Sequence, residues 1–311
     1  MRVLVTGASG FIGAALCRDL ALRGHAVRAA VRRPIASEAL AGAEQVLIGD
    51  LAGDFDRRAL LKGIDVVVHL AAIAHRGARD ADIHRVNVSA TVRLAEAAAG
   101  EARRFVFMSS VKVHGEDSGG GSYIETSPTR PEDAYGRAKL EAERLLDERA
   151  SRTGLELALI RPPLVYGPGA KANFLRLLRW VDSGWPLPLA GVRNRRSLVC
   201  LDNLVDAVAR CVEHPAARGA FLVADDEAVS SSELIARIAR SLGRPVKLVS
   251  APTALLRLLG AAIGHRDDIR RLTGNLTVDA SRARRVLDWR PPRTLDEGLA
   301  KTVRWFRSKG A

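Results

Sequence analysis

Arg2-Val-Leu-Val-Thr-Gly7-Ala-Ser-Gly10-Phe-Ile-Gly13 is the stretch whose reading decides the fold. Five residues with an apolar, β-branched core read as a buried strand, and the glycines that follow interrupt it before a helix beginning at Phe11 and running to about Arg23. Glycine at position 7 turns without a side-chain penalty, Gly10 lets backbone approach a pyrophosphate, and Gly13 lets the helix pack on the strand. The first N–H groups of that helix have no partner within it, so together with the dipole they offer a site for phosphate. The expected cofactor cradle therefore comprises Gly7, Ser9, Gly10, Phe11, Ile12 and Gly13.

Working outward, short apolar runs alternate with helical patterns. Strands are expected at residues 26–31, 45–48, 65–70, 104–109 and 155–160, with helices near 81–99 and 131–152. Continuous β-branched runs separated by helices specify an α/β fold, a doubly wound parallel sheet of Rossmann type. Beyond Arg161-Pro-Pro163 the regularity loosens, and Pro and Gly cluster at 162–169 and 184–188. A dinucleotide-binding domain is expected over 1–165 and a smaller, mostly helical substrate-binding lobe over 166–311, with the chain partly returning to the sheet near 197–214. The apolar stretch 251–264, broken by Arg257, is too short to span a bilayer and is expected to pack on the protein as a helix.

The 311 residues carry 47% hydrophobic and 27% charged side chains and a formal charge of +13. These proportions suit a soluble globular protein. The arginines are dispersed among acids, as in Glu141-Ala-Glu143-Arg144, without a basic tail or interleaved aromatics, so steering of a phosphate-bearing small molecule is expected and nucleic-acid binding is not. Cys17, Cys200 and Cys211 are far apart and odd in number, which suits a reducing compartment and offers neither a metal site nor a disulfide framework. No leader is read ahead of the first strand, and a cytoplasmic protein without stable membrane insertion is expected.

Two further patterns carry chemistry. The end of the second strand reads Arg28-Ala-Ala-Val-Arg32-Arg33, without the carboxylate that usually holds the ribose hydroxyls of NAD. Guanidinium groups at Arg32 or Arg33 suit a 2′-phosphate, so NADP is expected ahead of NAD. Asp50, after the third strand, is placed to accept from an adenine amino group, with Leu51 against the ring. Tyr135 and Lys139 are one helical turn apart on one face. The cation is expected to favour the phenolate of a group whose ordinary pKa is about 10. Ser109 and Ser110 end the fifth strand, where a hydroxyl can hold a substrate oxygen.

These features together resemble the extended short-chain dehydrogenase family, also called NAD-dependent epimerase/dehydratases, over essentially the whole chain. The matching residues are Thr6–Gly13, Asp50-Leu51, His69-Leu-Ala-Ala72, Asn87, Ser109-Ser110, Tyr135 with Lys139, Arg161-Pro162, Asp279-Ala-Ser281 and Leu287-Asp-Trp289. The resemblance implies a catalytic trio of Ser110, Tyr135 and Lys139. It further implies that Leu70, Ala71, Ala72 and Pro162 line the cofactor, that Asn87 supports the helix and an active-site water, and that the protein forms a homodimer through the Tyr135 helix and the helix near Ala90. Dehydratases of the family carry Asp-Glu after the catalytic hydroxyl residue, whereas Val111-Lys112 stand here, which disfavours dehydration.

The segments 110–116, 161–168, 171–175 and 193–198 resemble a bacterial subgroup that reduces UDP-4-keto-6-deoxy-N-acetylglucosamine for surface-polysaccharide synthesis, many of whose members are described as UDP-glucose 4-epimerase-like. Leu164, where UDP-hexose 4-epimerases usually carry Asn, points the same way. The expected reaction is therefore NADPH-dependent reduction at C4 of a UDP-linked keto sugar. Ser109, Lys112 and Asn173 are expected to meet the substrate, and Arg193, Arg196 and Arg271 its diphosphate. A UDP-hexose 4-epimerase holding NAD tightly is the alternative, and a non-enzymatic dinucleotide sensor is a second.

Overall fold

A computed structural model of the chain describes residues 1–35, 40–74, 77–252 and 266–309. Its main sheet has seven strands: β1 (Arg2–Thr6), β2 (Ala26–Val31), β3 (Glu44–Leu47), β4 (Val66–His69), β5 (Arg104–Met108), β6 (Glu156–Arg161) and, after two strands of a second sheet, β9 (Gly219–Leu222). They lie in the order β3-β2-β1-β4-β5-β6-β9 and every neighbouring pair is parallel. The order reverses between β1 and β4, which creates the crevice at the carboxyl edge where doubly wound sheets hold ligands. The parallel sheet expected from the buried strand runs is the one observed.

Side-chain alternation along the strands builds two cores. Val3, Val5 and Val68 face α1 (Phe11–Leu22) and a later helix, α7 (Leu201–Glu213), with Leu16, Leu20, Val208 and Phe221. Leu4, Val67, Phe105 and Phe107 face the opposite layer, with Leu94 and Leu146. That layer consists of α2 (Arg57–Leu61), α4 (Thr91–Ala98) and α5 (Ala134–Thr153). Asp133 caps α5 by accepting from the Gly136 N–H at 2.7 Å, and Gly154 ends it at φ +75°. The sequence reads one helix over 81–99, but the structure divides it into α3 (Asp80–His84), a π-helical turn (Arg85–Ala90) and α4. That turn carries the fully buried Asn87.

The rest of the chain forms a second layer system. Strands β7 (Leu164–Tyr166), β8 (Arg196–Cys200) and β10 (Ala228–Val229) make a small sheet. Around it lie α6 (Ala172–Asp182), α8 (Ser231–Ser241), α9 (Arg266–Thr273), α10 (Ser281–Leu287) and α11 (Leu295–Ser308). Tyr166, Phe174, Leu178, Ile235, Leu299 and Phe306 fill their common core. The chain returns to the main sheet after β8, when α7 packs beside α1 and β9 extends the edge. The apolar stretch 251–264 lies mostly outside the described residues. Among the described residues no helix is long and apolar enough to cross a membrane.

All three cysteines are buried and unpaired, and burial pushes the Cys17 and Cys211 thiols up to about 12, as befits small core side chains. The outward faces of α4 and α5, where the resemblance implied a dimer contact, carry Arg93, Glu96, Glu141, Arg144 and Glu148. Arg149 pairs with Glu96 across them at 2.9 Å.

Arg104 is a charged group buried with no exposure at all. It opens β5, pairs with Glu156 at 2.6 Å, and donates to the Cys211 and His214 carbonyls at 2.8 Å each, satisfying the end of α7. Arg104→Ala strands these acceptors, so it is expected to lower unfolding stability by about 3–5 kcal/mol. Urea denaturation followed by circular dichroism measures this; a loss under about 1 kcal/mol would show the end of α7 to be held by packing alone.

Candidate active site

The site is built where four parallel strands end side by side. Gly7 follows β1, Leu70 and Ala71 follow β4, Ser109 and Ser110 follow β5, and Pro162 follows β6. Gly7 has φ +68°, and a Cβ there would lie 2.8 Å from the Ala71 nitrogen. A Cβ on Gly13 would lie 2.1 Å from the Gly7 carbonyl oxygen. Gly13 is therefore demanded by the close packing of α1 over the turn, and Gly7 by the packing of that turn against the chain leaving β4. Gly10 is different: its Cβ would meet only the Gly7 oxygen at 3.1 Å, and it caps α1 without any side-chain acceptor. The opening of α1 thus presents backbone N–H groups beside a cradle free of side chains, which fits a dinucleotide pyrophosphate. Ser9 is exposed at this turn, and Phe11 and Ile12 are half-buried beside it.

A buried relay fixes the turn relative to β4. The Ala71 N–H approaches Thr6 Oγ1 at 3.4 Å, and Thr6 Oγ1 lies 2.8 Å from His69 Nδ1. His69 Nε2 lies 2.9 Å from Thr91 Oγ1, which donates to the Asn87 carbonyl at 2.9 Å. Because the Thr91 hydroxyl proton is committed to that carbonyl, His69 donates from Nε2 and accepts from Thr6 at Nδ1. Burial lowers His69 to about 3 and keeps it neutral. Asn87 in turn clamps Ile73, accepting from its N–H at 2.8 Å and donating to its carbonyl at 2.9 Å. Ala72 is held half-buried between these anchors. Asn87 is too deeply buried for the sequon it begins to be modified.

The adenine end is more open. Arg32 and Arg33 are exposed after β2, and Leu51 is buried. Asp50 accepts from the Ala52 N–H at 3.0 Å and pairs with Arg85 at 2.9 Å. These contacts, with a smaller contribution from Arg32, hold its carboxyl below the usual range. Arg85 thus joins this corner without any local sign in the sequence, since the pair joins the turn after β3 to the start of the π-helical turn.

Tyr135 and Lys139 lie on the first turns of α5, whose Gly136 packs against the Lys112 carbonyl in the turn after Ser110. Ser110 is buried, and its Oγ accepts from the Lys112 N–H at 3.2 Å, starting a short 3-10 turn (Val111–Val113). The buried Ser109 hydroxyl has no hydrogen-bond partner among the described residues. Pro162 accepts from the Val111 N–H at 3.0 Å, tying the end of β6 to this turn. Lys139 is buried and donates to the Met108 carbonyl at 2.8 Å, while its ammonium lies 5.8 Å from the Tyr135 ring centre. Burial lowers Lys139 to about 7, opposed by Glu143. Burial first, and Asp133 second, push the Tyr135 phenol well above its ordinary value. The Lys139 ammonium, expected to favour the phenolate, is engaged by the Met108 carbonyl, and burial and Asp133 act on the phenol in the opposite direction.

The residues expected to meet substrate divide into two groups. Lys112, Arg196 and Arg271 come together around Glu116. Lys112 bridges Asp133 at 2.5 Å and Glu116 at 2.9 Å, and Arg271 pairs with Glu116 at 2.8 Å. Arg196 is half-buried and donates to the Gly274 carbonyl at 3.2 Å. Asn173 stands at the second position of α6 and accepts from Arg176 at 2.6 Å. Arg193 goes elsewhere, to a polar cavity of about 590 Å³ that it shares with Arg195 and Arg284. Sequence reading missed Glu116 and Asp133. Asp133 had a signal, a capping residue ahead of a helix; Glu116 had only the i,i+4 spacing to Lys112, and its second partner, Arg271, comes from distant α9.

The model of the family described as "NAD dependent epimerase/dehydratase family" matches residues 3–224. A UDP-glucose 4-epimerase of Vibrio cholerae is 40% identical over 98% of this chain and 95% of its own length. A UDP-glucose 4-epimerase of Mycolicibacterium smegmatis is 32% identical over 99% of both. Among solved structures, MoeE5 in complex with UDP-glucuronic acid and NAD is 30% identical, with a TM-score of 0.80 over 99% of this chain and all of that one.

The glycine geometry sets an order for alanine substitutions. Gly13→Ala is expected to prevent folding, whereas Gly10→Ala is expected to keep the thermal midpoint and weaken dinucleotide binding at least about tenfold. Thermal unfolding and fluorescence titration with NADH distinguish the two; equal affinity in Gly10→Ala and the parent would move the phosphate away from this turn.

Proposed function

We propose that this chain, which belongs to the NAD dependent epimerase/dehydratase family, is a 4-epimerase of a UDP-linked hexose working with NAD. The observation that carries the reading is the 40% identity to the Vibrio cholerae UDP-glucose 4-epimerase, sustained over nearly the whole of both chains. The MoeE5 structures, solved with NAD and with UDP-glucose or UDP-glucuronic acid, support the same cofactor and substrate class. Family membership together with an intact Ser110, Tyr135 and Lys139 speaks for an enzyme rather than a dinucleotide sensor.

In this reading Gly7, Gly10, Gly13 and the N–H groups opening α1 hold the pyrophosphate, and Asp50 and Leu51 receive the adenine. The nicotinamide ring supplies a reversible two-electron acceptor for C4. Ser110 Oγ holds the C4 oxygen, and Tyr135 takes its proton as the carbonyl forms and gives it back as the alcohol is restored. Lys139 keeps a cation beneath the phenol and reaches the nicotinamide ribose. Arg196 and Arg271 neutralise the diphosphate, with Asn173 beside the nucleotide. Arg193, at its separate cavity, leaves this set.

Reduction of a UDP-4-keto-6-deoxy-hexosamine by NADPH is the second reading. It is favoured by the exposed Arg32 and Arg33 with no carboxylate at the end of β2, and by Leu164. The two differ in cofactor economy. An epimerase regenerates its cofactor in each turnover and needs no added reductant, whereas a reductase consumes one equivalent.

Purified protein given UDP-glucose is expected to form UDP-galactose without added NADH or NADPH, followed by NMR of the anomeric proton. Tyr135→Phe is expected to lower this rate about 10²–10⁴-fold without unfolding the chain. Absence of interconversion, together with stoichiometric oxidation of NADPH by a UDP-4-keto sugar, would give the site to the second reading.

A further inference from the structure

Lys112 is the ionisable residue nearest to Ser110 in the chain, and both its backbone and its side chain are engaged. Its N–H donates to Ser110 Oγ at 3.2 Å. Its carbonyl oxygen lies 3.0 Å from where a Cβ on Gly136 would stand, so the first turn of α5 rests on the Ser110 turn with no room for a side chain. Its ammonium bridges Asp133 Oδ2 at 2.5 Å and Glu116 at 2.9 Å. Asp133 uses its other oxygen to cap α5 at Gly136. One residue therefore ties the hydroxyl at position 110 to the helix that carries the phenol.

We propose that Lys112 is a positioning residue for Tyr135: it fixes the Asp133 cap of α5 and offsets the negative charge that this cap carries two residues before Tyr135. The inference rests on the reading that Tyr135 exchanges a proton with substrate. Lys112 sits where the family's dehydratases place an acid, and here its ammonium is held by two carboxylates.

The charges around Tyr135 show why this cation matters. On α5 itself, Lys139 donates to Met108, and Glu143 is taken by Arg161 at 2.6 Å. From the loop before α5 come Asp133 and Glu132, the latter paired with Arg270. From the loop after β5 come Lys112 and Glu116, and from α9 comes Arg271, which meets Glu116 at 2.8 Å but Asp133 only at 3.8 Å. Arg196 of β8 faces Glu116, and His69 of β4 stays neutral. Lys112 is thus the close counter-charge of Asp133, and the Asp133 charge adds to burial in raising the phenol. Removing the cation leaves Asp133 opposed only at longer range, and the phenolate becomes harder to form.

The test uses Lys112→Met, Lys112→Arg, Asp133→Asn and the double variant Lys112→Met/Asp133→Asn in the full chain with NAD. Two readouts are taken: the pH profile of kcat/KM for UDP-glucose, and ultraviolet titration of the phenolate. The chain has three tyrosines, so a Tyr135→Phe baseline isolates the phenol of interest without any substrate. Lys112→Met is expected to move the acidic limb and the phenolate midpoint up by about one pH unit, a tenfold loss of phenolate at a fixed pH below it. Lys112→Arg is expected to restore both. The double variant is expected to return the midpoint to or below that of the parent, since Asn keeps the cap and removes the charge. A Lys112→Met protein that loses rate with an unmoved phenolate midpoint overturns the proposal, as does a double variant that fails to reverse the shift. If the parent has no activity on UDP-sugars but the midpoint still moves and reverses, the proposal stands and the reading of the substrate falls instead.

Discussion

The structure depends on one close packing, that of the start of α1 over the turn leaving β1. A methyl group at position 13 would sit 2.1 Å from the Gly7 carbonyl oxygen, and one at position 7 would strike the backbone after β4. Two glycines let a helix end approach the sheet to a distance no other residue allows. The unsatisfied N–H groups of that helix end then stand over the switch between β1 and β4. Cofactor geometry follows from this contact, and the carboxyl ends of β4, β5 and β6 are brought beside it by the register of the sheet.

A second constraint concerns buried charge. Lys139 is sunk under the site, and burial would strip its proton near pH 7. Glu143, one turn further along α5, opposes that, and is itself held by Arg161 at the end of β6. Arg161 also meets His114 Nε2 at 3.1 Å and the Glu125 carbonyl at 2.9 Å. The pair has little value as an isolated ion bridge in a dry interior. Its effect is geometric: it locks α5, β6 and the loop after Ser110 into one body, so that three residues far apart in sequence keep a fixed spacing. The net charge of +13 enters differently. Lys112, Arg196 and Arg271 gather around Glu116, while arginines such as Arg104 and Arg149 serve inside the fold or in surface pairs.

Residues 2–13 determined the first strand, the turn and the helix by themselves, because glycine spacing and apolar runs are local signals. The same holds for the parallel sheet, and for the one-face spacing of Tyr135 and Lys139. Tertiary structure decided what those residues feel. It interrupted the helix after β4 with a π-turn that buries Asn87 against Ile73, a change periodicity does not reveal. It turned Lys139 toward Met108 and buried Tyr135 beside an acid-capped helix end, so that burial first and Asp133 second push its phenol up. It separated Arg193 from Arg196, and it brought Glu116 and Arg271 together across 155 residues of chain. Local pattern fixes where the backbone goes; the charge around a side chain is a sum over neighbours from distant segments, and only the folded chain supplies it.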